Sequence, residues 1–133
     1  MRLGARLSGL ACGLALCGLA TAAAAEPLDL YFNNVREYHH ANGEVHRFFL
    51  NRDHTFAMMV NGKVFAAGTW TYEPATDTLC TAITTPNPPP PPPGKKPTDP
   101  RCSAAHTDYK PGVSWNETFA NGQTERGIFV PRQ

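Results

Sequence analysis

The chain of 133 residues carries 12 basic and 11 acidic residues, so its formal net charge is only +1. This balance gives no indication of nucleic-acid binding or of attraction to an anionic membrane surface. A chain of this length predicts a single domain, which buries roughly two-thirds of its unfolded surface and gains from a covalent cross-link.

The N-terminal segment has the pattern of a secretory signal peptide. Arg2 and Arg6 give it a positive start, residues 7–20 are apolar and uncharged, and the small residues 22–25 offer an A-x-A cleavage site. The apolar stretch is shorter than the ~20 residues that a membrane span requires. A lipoprotein signal is disfavoured as well, because Cys17 follows a leucine and not a small residue.

We therefore predict a signal peptide over residues 1–25 and a mature chain of residues 26–133, periplasmic or secreted and without a stable membrane anchor. The mature chain keeps ten basic and 11 acidic residues, which makes its formal net charge −1.

Two cysteines, Cys80 and Cys102, remain in the mature chain. In an exported protein they most simply form a disulfide with each other. The bond closes a loop of about 23 residues, which contributes roughly 3 kcal/mol in the chain-entropy model. A metal site is disfavoured, because neither cysteine has a second cysteine at ligand spacing.

The first part of the mature chain predicts a hairpin. Residues 28–38 predict a strand after an irregular or helical start, and residues 44–50 predict a second strand. Asn42-Gly43 between them is the strongest short-range hairpin signal. The next turn places His54 where the backbone requires a positive φ, which histidine tolerates better than most residues do.

A second hairpin is predicted over residues 55–72, with its two strands joined by a three-residue loop that has a bulge at Gly62. This register puts Phe56 and Met58 on the face that also carries Trp70. Small residues in the second strand mark either a sharp bend or a place where the backbone packs closely.

A proline-rich loop over residues 85–101 interrupts the second half of the chain. It follows a predicted strand at residues 78–84, and its six consecutive prolines, Pro88–Pro93, predict a stiff polyproline II rod. Three more strands are predicted over residues 102–107, 113–119 and 124–130.

These segments predict an all-β fold of about eight short strands joined by tight turns. Sequential hairpins are usually neighbours in space, so the strands form an antiparallel up-and-down meander that can close into a small barrel. A two-sheet sandwich is the alternative. An eight-stranded barrel accommodates either packed side chains or one small ligand.

Several short motifs stand along the mature chain in a characteristic order: Asn33-Asn34-Val35, Asp53-His54-Thr55-Phe56, Gly68-Thr69-Trp70, Leu79-Cys80 and Lys110-Pro111-Gly112-Val113-Ser114-Trp115. This order resembles a group of small exported proteins of alphaproteobacteria, mostly uncharacterised lipocalin-like (calycin-type) β-barrels. The resemblance implies the fold and the compartment, and it brings no catalytic residue. The chain departs from it at His54, where those proteins usually have glycine, and at Pro88–Pro93, which lengthens the loop between the cysteines.

The titratable residues show no pattern of a catalytic or metal site. No H-x-x-x-H or H-E-x-x-H spacing occurs, and no serine lies in a G-x-S-x-G motif. His39 lies opposite His46 if the first turn has two residues, whereas a one-residue bulge places Tyr38 there. Even the histidine pair supplies only half of a metal site. We therefore expect surface or turn histidines, no metal or other cofactor, and no enzymatic activity.

Glu117 shares a predicted face with Trp115, and Arg126 lies on the neighbouring strand. The two charges predict a cross-strand pair. An exposed pair is favoured over a buried one, because charged residues are seldom fully buried.

Aromatic and sulfur-containing side chains give the functional hypothesis. Five of them are expected on the inner face, where they either line a pocket for a small apolar ligand or simply fill the core: Phe48, Phe56, Met58, Trp70 and Trp115. The sequence therefore predicts an exported, non-enzymatic barrel that binds a small apolar ligand. The alternative is an interaction or inhibitor protein that engages another exported protein through its surface or its proline-rich loop.

Overall fold

The computed structural model describes residues 26–119 and 121–133. The predicted signal peptide over residues 1–25 lies outside the described residues. Within the described part of the chain, no helix has the length and apolar character needed to cross a membrane.

The described residues form one short helix, a 3-10 turn and eight strands. The helix α1 spans Asp29–Asn33, and the 3-10 turn spans Pro74–Thr76. The strands are β1 Asn34–His39, β2 Val45–Leu50, β3 Thr55–Val60, β4 Lys63–Glu73, β5 Thr78–Ile83, β6 Arg101–Ala104, β7 Trp115–Thr118 and β8 Thr124–Pro131. The predicted irregular or helical start is therefore a single helical turn.

All eight strands belong to one sheet, in the order β6-β5-β4-β3-β2-β1-β8-β7. Every neighbouring pair is antiparallel. Chain neighbours pair with each other except between β6 and β7, and β8 returns to pair with β1. The sheet curls into a half-barrel that is open between its two edge strands, β6 and β7. The prediction of an all-β, eight-stranded antiparallel fold is therefore confirmed.

The second hairpin is tighter than predicted. Asn61 and Gly62 both have positive φ, 51° and 74°, and form a two-residue turn, so the predicted three-residue loop is wrong. The irregularity lies inside the strand instead, where Phe65 is left out of the pairing between β3 and β4. This bulge still puts Phe56 opposite Gly68, so the predicted face is correct although its cause is different.

Gly68 marks a close approach of two strands. A Cβ built on Gly68 would lie 1.9 Å from the carbonyl oxygen of Ala82 on β5. Of the two predicted explanations for the small residues of β4, the structure therefore supports close packing. His54 has a φ of 65°, which confirms its predicted left-handed conformation.

Tyr31 of α1 is fully buried and links the two sides of the half-barrel. Its hydroxyl donates a hydrogen bond to the carbonyl oxygen of Ala105 at 2.6 Å, just after β6. Its ring packs edge-on against Phe129 of β8 and Phe48 of β2, with centroid distances of 5.0 and 6.2 Å. Such aromatic pairs contribute about 0.5–1.5 kcal/mol each beyond the area they bury. The helix thus closes one part of the inner face.

Cys80 and Cys102 form a disulfide, as predicted. They lie directly opposite each other on β5 and β6, with their Cα atoms 4.0 Å apart. The bond fastens the edge strand β6 to the sheet and closes the loop that contains Pro88–Pro93.

Candidate ligand-binding cavity

A cavity of about 330 Å³ lies on the inner face of the half-barrel. Strands β1 to β6 all contribute to its wall, and its apolar lining includes Phe48, Phe56 and Met58. The volume is at the lower end of the range of about 300–1,000 Å³ that is typical of ligand pockets. Three of the five predicted ligand-binding residues therefore share one cavity.

Trp70 does not line this cavity, although it lies on the predicted face. Its ring packs on Phe32 of α1 and on His54, with centroid distances of 6.0 and 4.5 Å. Its indole Nε1 donates to the carbonyl oxygen of Asn51 at 2.8 Å. Trp70 therefore packs against the helix, and it lines a separate cleft of about 500 Å³ beside α1.

Trp115 also lies outside the cavity. Its ring packs on Phe129 and Tyr109, with centroid distances of 5.4 and 4.9 Å, and it covers Gly127 on the neighbouring strand. The five side chains were expected on one inner face, either lining a pocket or filling the core, whereas the half-barrel distributes them over separate contacts.

Arg36 of β1 is a buried charged residue of the cavity wall that was not predicted from the sequence. Only 7% of its surface is exposed, and it lines the same cavity as Phe48, which lies opposite it on β2. Its guanidinium carbon lies 4.7 Å from the Phe48 ring centroid and 5.0 Å from that of Tyr38. Its Nη1 donates to the Tyr31 hydroxyl at 2.7 Å. The sequence left the register of the first hairpin open, and this register places Arg36 opposite Phe48.

Burial disfavours the charged form of Arg36 and tends to lower its pKa. Tyr31, Tyr38 and Glu117 act in the opposite direction and outweigh burial, so the pKa of Arg36 is raised and the side chain is a cation. Burial also raises the pKa of both tyrosines, which remain neutral phenols. The cavity therefore carries a fixed positive charge in its wall.

The side chain of Glu117 points toward Tyr38. The predicted cross-strand pair of Glu117 with Arg126 is wrong. Arg126 lies opposite Asn116, because the register of β7 and β8 places Glu125 across from Glu117. The carboxylate of Glu117 accepts hydrogen bonds from the Tyr38 hydroxyl at 2.7 Å and from Nε1 of Trp115 at 3.3 Å.

The proline-rich loop contributes to the cavity wall through Pro89. Nη2 of Arg101, another lining residue, donates a hydrogen bond to the carbonyl oxygen of Pro89. The side of the cavity next to β6 thus includes an arginine, a loop proline and the disulfide residue Cys102.

The first hairpin places Tyr38 opposite His46, so His39 and His46 do not face each other. His40 takes up the contact instead, with its ring centroid 4.0 Å from that of His46. His40 also lies 2.6 Å from a carboxylate oxygen of Glu125. Among the described residues, no three histidine, cysteine, aspartate or glutamate side chains converge as metal ligands.

No protein-family model, curated protein or solved structure matches the chain. The resemblance to small exported lipocalin-like barrels therefore stays a prediction.

Proposed function

We propose that this chain is an exported, non-enzymatic half-barrel protein that binds a small, mostly apolar ligand on the inner face of its sheet. The observation that supports it is the cavity of about 330 Å³, with Phe48, Phe56 and Met58 in its wall. The ligand gains free energy by covering these side chains, at about 25 cal/mol per Å² of apolar surface removed from water.

Export is part of the same proposal. It is supported by the signal-peptide pattern of residues 1–25 and by the disulfide between Cys80 and Cys102, since such bonds persist in oxidising compartments. A periplasmic or secreted location fits both observations.

The alternative hypothesis is an interaction or inhibitor protein that engages another exported protein through its surface or its proline-rich loop. Pro89 of this loop lies in the cavity wall, and its carbonyl oxygen accepts a hydrogen bond from Arg101. We therefore favour ligand binding.

The proposal is tested with N-phenyl-1-naphthylamine, a neutral apolar dye whose fluorescence rises in apolar surroundings. Ala66 is fully buried and lines the cavity, so Ala66→Leu fills part of the cavity with three additional carbon atoms. We expect wild-type protein to bind the dye, and we expect Ala66→Leu to weaken binding roughly tenfold, which is about 1.4 kcal/mol.

Ala67→Leu is the matched control. Ala67 is the next residue of β4, and consecutive strand residues point to opposite faces of a sheet, so the same substitution there leaves the cavity unchanged. Circular dichroism checks that both variants are folded. Absence of dye binding to the wild type, or equal binding by Ala66→Leu and wild type, would contradict the proposal.

A further inference from the structure

The charged part of the cavity wall is entirely positive. Arg36 and Arg101 line the cavity, and none of the described lining residues is an aspartate or glutamate. A small cavity with low-dielectric walls and charge of one sign attracts ligands of the opposite sign.

Arg36 is also incompletely satisfied within the described part of the protein. Its Nε is buried and has no hydrogen-bond partner there. No ion pair joins its guanidinium to a described carboxylate. Buried charged groups are normally paired, because removing an unpaired charge from water is energetically unfavourable.

The surroundings of Arg36 hold the cation in place without neutralising it. The aromatic faces of Tyr31, Tyr38 and Phe48 lie 5.3, 5.0 and 4.7 Å from the guanidinium carbon. Cation–π attraction to these rings offsets part of the desolvation cost. Glu117 raises the pKa of Arg36 but forms no ion pair with it, and the Glu117 carboxylate accepts hydrogen bonds from Tyr38 and Trp115. The Arg36 guanidinium is therefore a preorganised cation beside an apolar wall.

We propose that Arg36 binds the head group of an amphipathic carboxylate whose apolar chain lies against Phe48, Phe56 and Met58. This inference rests on the proposed ligand-binding function and specifies the ligand class. A guanidinium matches the planar carboxylate geometrically, and Arg36 balances its single charge. Arg101, the other cation of the wall, already donates to the carbonyl oxygen of Pro89. A phosphate monoester carries more charge, about −1.5 to −2 at neutral pH, and requires additional donors.

The test compares decanoate with decan-1-ol, two ligands with the same number of carbon atoms that differ in charge. The protein is expressed with its own N-terminal segment and purified with the Cys80–Cys102 bond intact, and binding is measured at pH 7.5 by displacement of N-phenyl-1-naphthylamine. We expect wild-type protein to bind decanoate roughly tenfold more tightly than decan-1-ol, since a charge-assisted hydrogen bond is worth about that factor.

Arg36→Met should reduce this preference to below about threefold while retaining decan-1-ol binding, because methionine keeps an apolar side chain of similar length. Arg47→Met is the matched control. Arg47 lies on β2 next to Phe48, is 58% exposed and pairs with Glu37, so its removal should leave the preference at the wild-type value.

Each outcome has a defined meaning. Equal affinity of the wild type for both ligands overturns the role of Arg36 and leaves the proposed apolar binding standing. Failure of the wild type to bind either ligand or the dye overturns the proposed function as well. A preference that survives in Arg36→Met also overturns the assignment. The wild-type comparison decides the matter even if Arg36→Met does not fold.

Discussion

The hydroxyl of Tyr38 on β1 donates a hydrogen bond of 2.7 Å to the carboxylate of Glu117 on β7. These strands are not neighbours, because β8 lies between them in the sheet. The contact therefore spans the curled inner face and connects the centre of the sheet with one of its open edges.

Removing this hydroxyl should destabilise the fold. We expect Tyr38→Phe to lower the free energy of unfolding by about 1 kcal/mol, because Glu117 then loses its shortest hydrogen bond and keeps the longer one from Trp115. Urea unfolding measures the change. Tyr109→Phe is the control, since Tyr109 also packs on Trp115 and its hydroxyl has no hydrogen bond to another described residue. Equal losses in the two variants would show that the Tyr38–Glu117 bond is not specifically stabilising.

Asp77 should make the fold sensitive to acid. Burial tends to raise its pKa, but hydrogen bonds donated by Thr107 and Tyr72 outweigh this effect, and the pKa of Asp77 lies below its usual value. The unfolded state therefore takes up the proton first as the pH falls. The stabilisation is complete well above the unfolded value of about 3.9 and is lost as the pH drops through the folded pKa below it.

We expect Asp77→Asn to lower the free energy of unfolding at pH 7 by roughly 1 kcal/mol and to flatten its decline below about pH 4. Asparagine tolerates the left-handed backbone that Asp77 adopts, with φ 47°, so the backbone is preserved. Asp108→Asn is the control, because it removes one exposed carboxylate from the same region. A wild-type pH profile in Asp77→Asn would contradict the linkage.

The disulfide should contribute substantially to stability. We expect the double variant Cys80→Ala/Cys102→Ala to unfold with a free energy about 3 kcal/mol lower than that of the oxidised wild type, since the closed loop restricts the unfolded chain. Urea unfolding of both proteins measures the difference. Alkylation supplies the check on the wild type, in which both cysteines should react only after reduction. Free thiols in the purified protein would refute the bond and weaken the argument for export.

The ring of Trp115 should tolerate no side chain at position 127. A Cβ at Gly127 would lie 2.4 Å from two carbon atoms of this ring, so alanine forces the indole to move. We expect Gly127→Ala to lower the free energy of unfolding by about 1–3 kcal/mol, the usual cost of overpacking. In a Trp115→Leu background the same substitution should cost less, and a double-mutant cycle measures the coupling. An identical cost in both backgrounds would show that the ring is not the obstacle.

Much of the fold was predictable because it depends on local chemistry. The Asn-Gly turns, the left-handed backbone at His54 and the alternation of apolar residues act within a few positions of the chain. They located the strands to within a few residues. The pairing of Cys80 with Cys102 followed from their number and from the expected compartment.

The cavity was predictable only in part. Phe56 and Met58 were correctly placed on one face, because alternation within their hairpin determines it. Phe48 lies in the same cavity, although alternation along its own strand left open which face is inside. Trp70 and Trp115 were not distinguished from them, since their positions depend on α1 and on the residues around the open edge of the sheet.

By itself, the sequence determined an eight-stranded antiparallel fold and its covalent cross-link. Only the tertiary structure decided that Arg36 is buried beside Phe48 and that Glu117 turns inward to Tyr38. The physical reason is the range of the interactions. Turn sterics and alternation are local, whereas a shift of one residue in pairing moves every side chain of a strand to the other face.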